Sequence, residues 1–140
     1  MKAVFKTDRG KVRSHNEDNG GYFYNKAGEI LLVVADGVGG HRAGDVASSM
    51  AVSFLQQHWI EEQTMSTPAM AESRLGEQIN KVNESIFNHA QTNAECQGMG
   101  TTLVAAVCTE RFTTIAHIGD SRGYLYNENG FKQITEDHSL

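Results

Sequence analysis

Six consecutive apolar residues, ILLVVA at 30–35, run straight into Asp36, and Gly37, Gly39, Gly40 and Gly44 follow as a helical pattern begins. A short apolar run bounded by turn signals suits a buried strand better than a helix. A carboxylate directly after such a strand is costly unless something offsets its charge: a metal ion, a hydrogen-bonded neighbour or an exposed strand end. The glycines allow either a tight turn or close approach of another group to the backbone. The chain must therefore carry a strand-to-helix junction with an acid at the strand's end.

The flanking residues predict the rest of the layout. Residues 2–6 are a candidate short strand. GYFYNKAGEILLVVAD reads as a hairpin, with strands over 22–24 and 29–35 and a turn through 25–28. Ala43, Val46, Ala47, Met50, Ala51, Phe54 and His58 recur at helical spacing, one face of a helix ending near Trp59. Residues 64–69, which hold the only proline, read as a loop; Leu75, Ile79, Val82, Ile86 and Ala90 mark a second helix. Residues 97–101 read as a glycine-containing turn. LVAAVC and TTIAHI then read as strands, and GYLYNENGFKQI as a hairpin around Asn129 and Gly130. Strands, two adjacent long helices and more strands predict an α+β fold with an antiparallel sheet, in a single domain over 1–140.

Twelve basic against seventeen acidic residues give a net charge of −5, and no block of Lys and Arg stands out. That argues against a nucleic-acid groove or a membrane-surface helix. An acidic chain that handles anions needs a local positive device, such as a metal or a placed arginine. The N-terminus has no signal-peptide core, and no apolar run is long enough to span a membrane, so the expected location is the cytoplasm. Cys96 and Cys108 form neither a metal-type pair nor a redox CxxC and read as small buried hydrophobes.

Four acids share one context, at or beside strand ends: Asp18 in RSHNEDNGG, Asp36, Asp120 in HIGDSRGY and Asp137 in TEDHS. Asp and Gly occur at strand ends simply because they make turns. Converging at one sheet edge, however, such acids offer the oxygen ligands that hard divalent cations take. Asp45 reads instead as a first-turn acid that favours a helix N-terminus. The glycine loop is a weak nucleotide signal: the third glycine of GxGxxG would fall on Arg42, and GxxxxGK[ST] is absent. Arg13, three residues before Asn16, is either a surface arginine or a bidentate phosphate holder. The six histidines show no zinc spacing, and only His41, in the glycine loop, is a candidate site residue. No GxSxG occurs, so serine nucleophile chemistry is unsupported.

Five segments in order, RSHNED, VVADGVGGHRAGD, GMGTTL, HIGDSRGY and QITEDHSL, run from Arg13 to Leu140. In them the chain resembles the metal-dependent protein serine/threonine phosphatases of type 2C, in their bacterial branch. The resemblance implies an αββα four-layer sandwich, of which this chain is the N-terminal part, around two or three Mn²⁺ or Mg²⁺ ions. It implies that Asp36 bridges two metals, that the Gly37 carbonyl binds one of them, and that Glu17 and Asp18 hold metal-bound waters. Asp120 matches an acid that helps bind a third metal, and Arg13 the arginine that binds the substrate phosphate. His41 is a candidate proton donor to the leaving group. The implied reaction is hydrolysis of phosphoserine and phosphothreonine in proteins by a metal-bridging hydroxide, with no phosphoenzyme, opposing a eukaryotic-like serine/threonine kinase.

Two departures bear on that expectation. Val38 stands where bacterial relatives often carry Met, an apolar exchange. The chain also stops at DHSL, where the flap beside the active site would begin, before two further metal-binding aspartates, so a C-terminally truncated domain is expected. Such a chain should show unpaired sheet edges, an exposed apolar sheet face and weakened metal affinity. The competing reading is a catalytically inactive form that binds metal or phosphoprotein without turnover.

Overall fold

The computed structural model describes residues 3–8, 17–40 and 42–137. Strands β1 (Asp18–Tyr24) and β2 (Ile30–Val38) form the first hairpin; helices α1 (Ala43–Trp59) and α2 (Pro68–Thr92) follow. A 3-10 turn (Ala94–Cys96) leads into β3 (Gly100–Thr101), β4 (Leu103–Cys108), β5 (Thr113–Ile118), β6 (Tyr124–Asn127) and β7 (Gly130–Gln133). The main sheet has the order β1-β2-β4-β5, every pair antiparallel, with β3 paired to the end of β2 and β6-β7 a separate hairpin. The α+β expectation holds.

Alternation along the strands decides which face the helices cover. Leu31, Val33 and Ala35 of β2 and Leu103, Ala105 and Val107 of β4 are buried against Ala47, Ala51, Leu55 and Trp59 of α1 and Leu75, Val82 and Ile86 of α2. Small residues along α1, with Gly44 and Ser48 also buried, let the helix lie close on the sheet. The buried face of α1 is rotated from the expected one. Val52, Leu55 and Trp59 are buried, whereas Phe54 is only partly so, because the apolar stripe is wider than the sheet contact.

The other face of the sheet carries the rows Tyr22–Leu32–Ala106–Ile115 and Gly20–Val34–Val104–His117. Val34 is 48% exposed there, and all eight residues of β6 and β7 are exposed. β1 and β5 end the sheet with no further strand among the described residues. Among the described residues the sheet therefore ends at β1 and β5, and Val34 lies open on this face.

A polar knot fastens the first hairpin to the loop between the helices. The Trp59 indole donates to the Phe23 and Glu29 carbonyls at 2.9 and 3.2 Å. Asn25, 6% exposed, accepts from the Ala27 and Glu29 amides and donates to the Glu29 carboxylate and the Gln63 carbonyl. Glu29 also accepts from the Met65 amide at 2.8 Å.

Three expectations are corrected. Residues 3–8 are not in a strand; Ala3 and Phe5 are half-buried and Val4 exposed, and the Phe5 ring packs against Gly20 of β1, but the segment joins no sheet among the described residues. The proline expected in the 64–69 loop begins α2, where its missing amide costs nothing and the Thr67 hydroxyl accepts from the Met70 amide. Within the 97–101 turn, Gly100 and Thr101 pair as β3 against Val38 and Gly37.

Candidate metal centre

The end of β2 and the start of β1 meet because the hairpin register brings them together: Asp18 stands directly opposite Asp36. The Gly37 amide donates to the Glu17 carbonyl at 3.1 Å, which continues the pairing past the ladder. The N-terminal turn of α1 then lies on this junction. A Cβ on Gly37 would collide with the Gly44 carbonyl, and one on Gly44 would come within 2.6 Å of a Glu17 carboxylate oxygen. Glycine at both positions is what allows strand and helix to touch, and it seats the Glu17 carboxylate against the first turn of α1.

Buried hydrogen bonds lock the junction. The Ser48 hydroxyl, fully buried, donates to the Glu17 carbonyl at 2.7 Å and accepts from the Asn19 side-chain amide at 2.9 Å. Asn19 also donates to Asp45 at 3.3 Å, so Asp45 serves helix α1 and its docking, as its first-turn position suggested. On the opposite side the Asp36 amide donates to the Thr102 hydroxyl, and the Thr102 amide donates back to the Asp36 carbonyl at 2.8 Å.

Asp120 joins this edge through Thr102. The Thr102 and Ser121 hydroxyls are hydrogen-bonded, and a Cβ on Gly119 would press on the Thr102 methyl at 2.7 Å. Gly119 also has φ +96°, a conformation that side chains strain to adopt. The loop carrying Asp120 is thereby tied to the residue that holds Asp36.

Glu17, Asp18, Asp36 and Gly37 are thus neighbours, with Asp120 one tether away. Arg13 and His41 lie outside the described residues. Asp137 is not at this junction: it pairs with Arg122, which holds its carboxyl below the usual carboxylate range. Among the described residues no set of three or more His, Cys, Asp or Glu closes on one point. The arrangement is two acids at one cross-strand position, with Gly37 next in the chain and Glu17 beside it. That suits a hydrated hard cation, which binds one or two carboxylates and keeps several waters. Ser48, Asn19, Thr102 and Ser121 escaped sequence reading. Thr102 and Ser121 had a signal, their places in GMGTTL and HIGDSRGY.

A family model for protein phosphatase 2C matches residues 8–139. The serine/threonine phosphatase Stp of Listeria welshimeri is 51% identical over 140 residues, all of this chain and 56% of that protein. The crystal structure of the serine/threonine phosphatase Stp1 from Staphylococcus aureus superposes with a TM-score of 0.90 at 44% identity, over 96% of this chain and 52% of that one. The catalytic domain of the serine threonine protein phosphatase PstP, crystallised with two manganese ions, gives 0.78 at 36% identity, over 94% and 54%. The chain spans about half the length of the relatives it matches. Its helices and antiparallel strands follow theirs, and the chain belongs to the protein phosphatase 2C family.

Proposed function

We propose that this chain carries the metal centre of a metal-dependent protein serine/threonine phosphatase, acting on phosphoserine and phosphothreonine in phosphorylated proteins. The observation that carries the reading is the facing of Asp18 and Asp36 beside the Gly37–Gly44 contact. Family membership supports it, as does the manganese in PstP.

In this reading Asp36, Asp18, Glu17 and the Gly37 carbonyl hold Mn²⁺ or Mg²⁺, and Asp120 contributes to a third ion. Such cations, when bound, act as Lewis acids and bring the pKa of coordinated water to about 7. The chain's own part is positional. Asp18 and Asp36 sit on paired strands, so the backbone ladder rather than a loop sets their spacing. Ser48 and Thr102 hold that ladder from its two sides. Arg13 takes two phosphate oxygens in a bidentate pair and stabilises the charge that builds on them. His41 supplies a proton to the leaving alkoxide. No side chain needs to become a phosphoenzyme. The substrates would be products of a eukaryotic-like serine/threonine kinase in the cytoplasm; no helix among the described residues is long and apolar enough to cross a membrane.

The second reading is a form that binds metal or phosphoprotein without turnover. Hydrolysis of p-nitrophenyl phosphate with Mn²⁺, with chelator and in Asp36→Asn separates the two. Mn²⁺-dependent turnover that Asp36→Asn abolishes supports the enzyme. A Mn²⁺-dependent rise in melting temperature without turnover, lost in the same variant, supports the binding form. A chain indifferent to Mn²⁺ in both assays overturns both.

A further inference from the structure

Arg122 and Asp137 meet in a two-point ion pair: Nε donates to Oδ1 at 3.0 Å and Nη2 to Oδ2 at 2.7 Å. Neither residue has a role in the reading above, yet they come from two different motifs, HIGDSRGY and QITEDHSL. Around the pair, residues 134–137 are stitched down at every step. The Ile134 amide donates to the Gly123 carbonyl at 2.9 Å, and the Thr135 hydroxyl, on a residue only 5% exposed, accepts from the Gly123 amide at 3.1 Å. The Glu136 carbonyl accepts from His117 Nε2 at 2.8 Å, and Gln133 donates to the Thr135 carbonyl and to Asp137.

The pair is 48% and 37% exposed, so its contribution to global stability is small. Its geometry is the informative part: a bidentate guanidinium–carboxylate contact fixes orientation as well as distance. The consequence falls on Asp120. Its loop has one anchor at Ser121, through Thr102 to Asp36, and a second at Arg122, through Asp137 to the strap of residues 134–137. Asp120 stands immediately before both anchors. Release of the second leaves Asp120 between the Ser121–Thr102 hydroxyl contact and the Gly123 backbone bonds to Ile134 and Thr135, with the Arg122 side chain no longer oriented.

We infer that Arg122 and Asp137 are positioning residues, a clamp that holds the loop of residues 119–123 so that Asp120 stays in register with the Asp18–Asp36 pair. The inference rests on the reading of Asp120 as a metal-binding acid, and two independent measurements separate them. The first is amide hydrogen exchange in protein carrying these 140 residues, without metal. Arg122→Ala and Asp137→Asn should raise exchange across residues 119–123 by about tenfold, with β2 and β4 unchanged. The double charge reversal Arg122→Asp with Asp137→Arg should recover most of the protection, and Arg122→Lys only part, since an ammonium cannot form the fork. The second is a Mn²⁺ titration followed by electron paramagnetic resonance. Arg122→Ala should weaken the site lost in Asp120→Asn by about tenfold, the effect of disturbing a ligand's support, and leave other sites alone. Exchange across 119–123 in Arg122→Ala equal to the parent's overturns the clamp. Raised exchange with Mn²⁺ binding identical in Asp120→Asn and the parent leaves the clamp standing and removes Asp120 from the metal set.

Discussion

Asp18 and Asp36 occupy one cross-strand position of the β1–β2 ladder, an acid directly opposite an acid. Like charges directly opposite each other destabilise a strand pair. A cation shared between them reverses that effect, so metal binding and folding should be coupled at this point. Mn²⁺ should raise the melting temperature, by about 2.7 kcal/mol of added stability when its concentration is 100 times the dissociation constant. In Asp36→Asn the Mn²⁺-dependent rise should vanish while the metal-free protein still unfolds cooperatively. Calorimetry with and without chelator reads both.

The contact between Gly37 and Gly44 leaves no space for a methyl group. Gly37→Ala should therefore lift α1 from the end of β2 and cost about 1–3 kcal/mol, the range for overpacking. Gly44→Ala presses on the Glu17 carboxylate, which can swing, and on the Gly37 backbone carbon at 2.8 Å, a looser backbone contact than the one Gly37→Ala makes, so its stability loss should be smaller but not absent. If Glu17 supports the metal, its main effect should be weaker Mn²⁺ affinity. Urea unfolding and Mn²⁺ titration on the two variants should give opposite rankings.

Asn25 makes four hydrogen bonds while 6% exposed, two as acceptor and two as donor. Truncation to alanine strands the Ala27 amide and removes a partner of Glu29. Asn25→Ala should lower the urea midpoint by the equivalent of about 1–3 kcal/mol with an unchanged slope, the cost of leaving buried partners unsatisfied. Mn²⁺ affinity should not move, because the site lies at the other end of the hairpin.

Burial raises the Cys108 thiol above its ordinary pKa, with Thr113 acting weakly the other way. In the unfolded chain the thiol titrates near about 8.5, so above that pH the unfolded state binds fewer protons than the native one. Stability should fall as pH rises from there through the raised native value, and this component should disappear in Cys108→Ala. Native protein at pH 8 should also label slowly with a thiol reagent, and rapidly once unfolded, since Cys96 is buried and the half-buried Cys108 has a raised pKa.

Much of this molecule was readable before any coordinates. The apolar run 30–35, the helical spacing through Leu75, Val82 and Ile86, and the alternation in LVAAVC all depend on short-range periodicity, which the chain displays directly. Residues 3–8 show the limit of that signal. They have the in-and-out alternation of a strand, but a strand also needs a partner, which local sequence does not specify. The face of α1 was misjudged for a related reason: several apolar stripes were available, and only packing on the sheet selected among them.

The site divides in the same way. Asp18, Asp36 and Asp120 were legible as candidate acids, because an acid beside a strand end with glycines next to it is a pattern of neighbours in the chain; Gly37 entered through the family resemblance. That Asp18 meets Asp36, that Gly37 rests on Gly44, and that Arg122 grips Asp137 are facts of register and docking. Sequence alone determined which residues carry charge and where the backbone is bare. Tertiary structure decided which of them face each other, because cross-strand register, a helix's approach to a sheet and a closed loop depend on contacts between residues far apart in the chain.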